Sequence, residues 1–284
     1  MSQSRALVVA FADTHAGSKL GLMPPDAQLL DDTGPEPRTW TPTQTAIQRW
    51  LWDRYTEDMA AVRDIAGRAP VVVVLNGDIT QGVRYPEACV STRAADQYAI
   101  GLANLEPWYG WRNLSAVCLV HGTGSHEFGE GSAPVTIAAE LAKRYPRVRT
   151  FTTRHGLLDV DGARVDAAHH GTGPGGRAWL RGNTLRYYTR SLMISEIERG
   201  RTPPVALVRA HYHDGVHETV REGGYICEAV VLPSYCGLTH YAIQVTSSAY
   251  LLSCGMAAFV FESGRLVATH ELWRQLDLRQ EERV

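Results

Sequence analysis

Residues 70 to 78 read PVVVVLNGD, from Pro70 to Asp78, and this stretch decides the fold class. Its valines and leucine run on without polar alternation, the pattern of a strand buried on both faces. Glycine then permits a sharp exit, and Asp78 follows at once. An ionised carboxylate at the end of a doubly buried strand is costly unless it is paired or bound to a metal. The stretch therefore predicts a central strand that delivers an acid at its carboxyl end.

Working outward, similar Val-rich runs stand at 6 to 12 (ALVVAFA), 115 to 121 (SAVCLVH), 163 to 169 (ARVDAAH) and 204 to 210 (PVALVRA). Segments with helical signals lie between them, which is the alternation of an α/β domain. The clearest helix is expected from Thr41-Pro42-Thr43-Gln44, a capping box, with Ile47, Leu51, Tyr55, Met59, Val62 and Ile65 on one face. A second is expected over 91 to 105, with Tyr98, Leu102 and Leu105 inward. A third starts at Ser132-Ala133-Pro134 and carries Val135, Ala138, Leu141 and Ala142. The stretch from Gly21 to Thr43, with its prolines and Asp31-Asp32, reads as a long loop beside the first strand, suited equally to a lid or to a solvated insertion. From about Tyr225 onward alternating stretches suggest antiparallel strands, with Ser263-Gly264 as a hairpin turn. The expected organisation is one domain over 1 to 284, with a loop insertion at about 16 to 43 and C-terminal antiparallel strands at about 225 to 274.

The 284 residues, 44% hydrophobic, suffice for one large α/β domain, and a formal charge of −2 gives no whole-molecule attraction to nucleic acid or to an anionic membrane. The amino terminus lacks the apolar core and cleavage site of a secretory signal, and no run reaches the roughly eighteen apolar residues of a membrane span. A cytoplasmic protein without a membrane partner is the expectation. The five cysteines are scattered and without a CxxC pair, so reduced, buried thiols are expected.

Each apolar run ends in a short island of chemistry: Asp13-Thr14-His15, Gly77-Asp78, GTGSHE from Gly122 to Glu127, His169-His170, and His211-Tyr212-His213. In an α/β sheet the carboxyl ends of strands open onto the crevice where ligands bind, so residues remote in sequence should converge there. Carboxylate oxygen and neutral imidazole nitrogen suit manganese, zinc, iron and nickel. Two such cations together can clamp a phosphoryl group and lower the pKa of a bound water. A carboxylate shared between them is needed, and Asp78 is the candidate.

Taken in order, the islands resemble the D-x-H, G-D, G-N-H, H and G-H-x-H pattern of the calcineurin-like metallophosphoesterases, a superfamily of purple acid phosphatases, protein phosphatases and repair nucleases. The resemblance implies a two-sheet α/β sandwich with flanking helices and the metal site at the C-terminal ends of strands. It implies two divalent cations, manganese first among the fitting ions. Asp13, His15 and His213 would hold one, Asp78 would bridge, and His211 with His169 or His170 would hold the other; His169 is preferred as the first residue past its run. Where the family has an Asn ligand this chain has Gly124-Ser125-His126, so Ser125, or Thr123 with a shifted loop, must substitute. His126 matches the histidine that meets the substrate phosphate and assists the leaving group, and Glu127 beside it would orient that imidazole. Ala210 replaces the usual glycine of the last motif.

The activity so implied is metal-dependent phosphoric ester hydrolysis by a metal-activated hydroxide. A phosphodiesterase or nuclease-like enzyme acting on nucleic acid or a nucleotide is preferred, because Ile79-Thr80-Gln81-Gly82 lacks the Asp-Arg that protein phosphatases place after Gly-Asp. A phosphomonoesterase, or a weakened binding or scaffold protein of the same fold, is the alternative. Arg177, Arg181, Arg186 and Arg190, with Tyr187 and Tyr188, would steer a phosphate backbone if they shared a helix face, or else form an ordinary solvated face. His155, His217, His240 and His270 stand outside the pattern and read as ordinary surface or core residues, and Trp40, Trp50, Trp52, Trp108 and Trp111 read as core.

Overall fold

The computed structural model describes residues 4–129, 132–175, 177–238 and 251–279, which leaves His240 outside the described residues. In chain order the elements are β1 (Arg5–Phe11), β2 (Leu29–Asp31), β3 (Arg38–Trp40), α1 (Ala46–Ala66), β4 (Val71–Asn76), α2 (Ala94–Tyr109), β5 (Leu114–Val120), α3 (Ser132–Arg144) and β6 (Arg149–Thr153). They continue with β7 (His155–Val160), β8 (Ala163–Ala168), α4 (Asn183–Glu198), β9 (Ala206–Arg209), β10 (Val216–Glu222), β11 (Tyr225–Val231), β12 (Leu251–Glu262) and β13 (Arg265–Asp277). The chain is mixed α/β. One sheet runs β13-β12-β1-β4-β5-β6, a second runs β10-β11-β9-β8-β7, and β2 pairs with β3 alone.

The five Val-rich runs form β1, β4, β5, β8 and β9, and the absence of polar alternation has the expected cause. Along β1, Leu7, Val9 and Phe11 join a cluster with Leu51, Tyr55, Leu105 and Ile137 of the helices. Val8, Ala10 and Ala12 join another with Val165, Ala167, Val208 and Val230 of the second sheet. β4 divides likewise, Val73 and Leu75 to the helices and Val74 to the second cluster. Both faces of β1 and β4 are buried, which is why neither face is polar. The outer face of the second sheet is covered by α4 through Leu185 and Met193.

Pairing is parallel for β1-β4, β4-β5 and β5-β6, and antiparallel where β12 adds to β1. In the second sheet β8-β9 and β9-β11 are parallel. β11, expected among antiparallel strands, thus pairs parallel on one side and antiparallel with β10 on the other. The Ser263-Gly264 turn does join β12 to β13, with φ of 48° and 72° at its two residues, as a tight hairpin requires.

Two local expectations are corrected. The first helix starts at Ala46, four residues late, because the capping box that forms is Thr45 with Gln48. The earlier T-x-x-Q is diverted: Thr41 Oγ1 accepts from Gln28, and the Gln44 side chain donates to the Met23 carbonyl. The stretch from 21 to 43 is also no simple loop. It contains the β2-β3 pair, and Met23, Ala27 and Leu29 are buried with Ala16 and Ile100. Its first half is therefore core, which removes the basis for a free lid there.

The arginine series does not share a helix. Arg177 and Arg181 precede α4, and three of the four side chains pair with acids: Arg181 with Asp214 at 2.6 Å, Arg186 with Glu218 at 2.8 Å and Arg190 with Glu222 at 2.6 Å. No helix among the described residues is long and apolar enough to cross a membrane. The five cysteines are free and buried.

Candidate metal centre

The carboxyl ends of β1, β4 and β5 in the first sheet meet those of β8 and β9 in the second. Asn76, the last residue of β4, joins them: its side chain donates to the Ala168 carbonyl at 3.0 Å, and its own carbonyl accepts from His169 Nδ1 at 2.7 Å. Gly77 has φ 90°, and a Cβ there would lie 2.3 Å from His169 Nδ1, so only glycine lets the imidazole sit against the chain. Gly122 is equally confined, since a Cβ would lie 2.2 Å from the Asp78 backbone nitrogen.

Eight described non-glycine residues have positive φ, and five of them are Asp13 (54°), His15 (42°), Asp78 (48°), His211 (80°) and His213 (55°). Such a backbone costs on the order of 1 kcal/mol or more per residue and persists only where the surroundings enforce it. Here it turns each side chain back over the strand end it has just left.

Three overlapping sets of ligand atoms result, each set within 4.8 Å: Asp13, His15 and His213; Asp13, Asp78 and His169; and His169, His170 and His211. In the first, His15 Nε2 faces His213 Nε2 at 3.3 Å, His213 Nε2 is 3.3 Å from Asp13 Oδ1, and His15 Nε2 is 3.9 Å from it. Donors about 2.1 Å from one cation lie roughly 3.0–3.4 Å apart in tetrahedral or octahedral geometry. In the middle set His169 Nε2 is 3.1 Å from Asp78 Oδ2 and 4.0 Å from Asp13 Oδ1. Because His169 Nδ1 can only donate to the Asn76 carbonyl, Nε2 is left for a cation.

The electrostatics suit positive charge. Asp13 and Asp78 are 0% and 1% exposed, and among the described residues neither has an Arg or Lys partner. Asp13 Oδ1, His15 Nδ1 and His169 Nε2 are buried without a hydrogen bond. Burial pushes the Asp13 and Asp78 carboxyls up, but neighbouring imidazoles outweigh it: His213 and His169 lower Asp13, and His169 and His211 hold Asp78 well below the usual range. Burial lowers the His15 imidazole, and His126 and His213 add to this, bringing it to about 3. Burial also works against a charged His169, yet Asp78 and Asp13 raise it to about 9. Two buried carboxylates ringed by imidazoles and left with orphaned donor atoms fit divalent cations.

The structure brings Asp13, His15, Asp78, His169, His170, His211 and His213 together, and it puts both His169 and His170 in one set rather than choosing between them. Asp13 belongs to the first and middle sets and His169 to the middle and third, while Asp78 stands in the middle set alone. Ser125 is exposed in the 3-10 turn Gly124–His126, with its carbonyl against Gly82. Thr123 stands at the site instead. Its N–H donates to Asp78 Oδ1 at 2.6 Å, and its hydroxyl is 3.2 Å from Asp78 Oδ2 and 3.3 Å from His211 Nδ1. The shift follows from the turn, which needs the residues after Thr123 to carry the chain round to His126.

His126 packs edge-on to His15, ring centroids 4.6 Å apart. Its Nδ1 donates to the Gln81 carbonyl at 2.7 Å, leaving Nε2 as the working nitrogen. The orienting group expected of Glu127 is thus supplied by Gln81. Glu127 is buried, and its carboxylate accepts the Gly122 N–H, closing the turn.

Behind the third set lies a group with no signal in the sequence. Arg209, fully buried, pairs with Asp166 Oδ1 at 2.7 Å and donates to Tyr188 Oη at 3.2 Å. A Cβ at Gly171 would meet the Arg209 Nε at 2.7 Å. This pair ties β8 to β9 just before they deliver His169 and His211. The continuity of the apolar run PVALVRA around Arg209 is the one sequence feature that points to its burial.

No family model matches the chain, and no curated protein does. Among solved structures it is similar to the Thermus thermophilus sulfate thiohydrolase SoxB, described in complex with glycerol, at 11% identity and a TM-score of 0.38. The match covers 96% of this chain and 56% of that one, so the chain spans little more than half of SoxB's length. The reading of the site rests on its own geometry.

Proposed function

We propose that the chain is a metal-dependent phosphoric ester hydrolase of the metallophosphoesterase sandwich type, holding two divalent cations. The observation that carries this is the pair of buried carboxylates, Asp13 and Asp78, ringed by imidazoles and lacking any basic side chain among the described residues. Asp13, His15 and His213 would hold one cation; His169, His170 and His211 the other; Asp13 and Asp78 lie between. When bound, such ions neutralise charge on a phosphoryl group and lower the pKa of a water. His126 Nε2 would hydrogen-bond the departing ester oxygen, a role supported by the Gln81 carbonyl, which holds the proton on Nδ1. Thr123 steadies Asp78.

The substrate we favour is a small phosphodiester, with a nucleotide ahead of a polynucleotide. The segment after Asp78 carries no Asp-Arg, against a protein phosphatase, and the paired Arg181, Arg186 and Arg190 leave a polynucleotide track without support. Reconstitution with manganese, followed by assay on matched monoesters and diesters, tests this. Turnover of monoesters alone overturns the diester half of the proposal. A second reading, a binding protein that keeps the fold, is favoured by the Thr123 hydroxyl, a poorer ligand than an amide oxygen. Metal bound without turnover of either ester supports that reading instead.

A further inference from the structure

A row of aromatic rings leads from the buried centre to solvent. His169 and His170 have centroids 4.7 Å apart, His170 and His211 4.7 Å, and His211 and Tyr212 5.4 Å. His169 is buried, whereas His170 is exposed, and Tyr212 at the outer end is 47% exposed although it stands between two members of the ligand sets. The Tyr212 ring is not loose. One side lies on Gly173, where a Cβ would come within 2.9 Å of the ring. The Gly173 carbonyl is held in turn by Thr184 Oγ1 at 2.6 Å, and Gly182 N donates to the Pro174 carbonyl at 2.8 Å.

The same segment carries Trp179, 77% exposed, and is tied to the His213 side by Arg181, which bonds both Asp214 and the Gly215 carbonyl at 2.6 Å. The Tyr212 hydroxyl makes no hydrogen bond among the described residues. A ring fixed on one face, open on the other and next to a candidate ligand has the form of a stacking platform rather than of packing. Flat π faces stack with little regard to sequence or ring identity, so the platform selects planarity.

We propose that Tyr212 is a specificity-determining residue, and that the ester bound at this centre carries a planar aromatic substituent, a nucleobase or an aryl group, stacked on its open face. This inference rests on the phosphoesterase reading above. The test uses the full chain loaded with manganese and pairs of esters differing only in planarity: benzyl against cyclohexylmethyl, each as monoester and as methyl diester, with a nucleoside monophosphate as a third arm. The two alcohols leave comparably, so intrinsic reactivity nearly cancels in the ratio.

The native protein should show the lower KM for benzyl. Tyr212→Ala should reduce the benzyl-to-cyclohexylmethyl ratio of kcat/KM about tenfold, mainly through KM, while Tyr212→Phe keeps the ratio. A KM for the nucleoside ester below that for benzyl identifies the planar group as a base, and the reverse order identifies it as an aryl group; both support the platform. An unchanged ratio in Tyr212→Ala, with both esters turned over, overturns this inference and leaves the phosphoesterase reading standing. If the metal-loaded native protein turns over neither ester nor the nucleotide, the phosphoesterase reading itself falls and takes the platform with it.

Discussion

The two outer ligand sets are built from the same donor types but in opposite surroundings. Asp13, His15 and His213 sit together with His15 4% and Asp13 0% exposed, and two of their ligand-atom separations are 3.3 Å. His169, His170 and His211 grade from buried to open, with the His211 side chain 39% exposed. The His213 side chain is 21% exposed, so the first set is the more enclosed of the two rather than sealed. An enclosed set strengthens every electrostatic contact, whereas an open one lets water complete the shell. Under the proposed function the first set would hold its ion and the second would exchange ligands with substrate.

The largest effect should come from the middle set, which overlaps both of them and contains Asp78. Asp78→Asn is expected to cost on the order of 10³-fold in turnover with metal present, read against an unchanged circular dichroism spectrum. Because His169 and His211 hold the Asp78 carboxyl low in the metal-free protein, the substitution should also lower the metal-free melting temperature. An equal or higher temperature would mean that these imidazoles do not compensate the buried acid.

Next comes the support behind the open set. Arg209→Met should destabilise by roughly 3 kcal/mol, because it leaves the buried Asp166 with only His155 as an ion-pair partner among the described residues, and adding Asp166→Leu should recover much of that loss. Chemical denaturation of the single and double variants measures it. Equal loss in both would show that shape, not charge, matters at this position.

The comparison itself is broken or kept by His213→Ala against His170→Ala. The first should weaken metal binding roughly a hundredfold and the second by about tenfold or less, measured by calorimetric titration with manganese. Similar losses would mean the sets do not differ in grip.

The smallest effect is in pH. In the metal-free state His15, at about 3, is already neutral, while His169, raised to about 9, must release a proton to bind a cation. Metal affinity should therefore rise from pH 7 toward 9. The same shift has a stability sign: a pKa above the ordinary 6.5 contributes stability below that pH, lost as pH climbs through about 9. The metal-free protein should melt lower at pH 9 than at pH 7, and the manganese-loaded protein should not follow it.

Much was determined by the chain alone. Mostly continuous, Val-rich apolar runs read as strands buried on both faces, and the acid or imidazole after each then lies at a strand end. That placed β1, β4, β5, β8 and β9 and the seven Asp and His residues of the three sets. Local reading failed where two equivalent signals competed, as with Thr41 and Thr45, because the partners that chose between them, Gln28 and Met23, belong to another segment. It failed again where strands from different sheets had to meet. That Thr123 and not Ser125 faces Asp78, that Gln81 and not Glu127 holds His126, that Arg181, Arg186 and Arg190 are neutralised, and that Tyr212 stays open to solvent all depend on distances between segments far apart in sequence. No period or spacing carries such distances. They are decided only when the two sheets pack and bring their strand ends to one place.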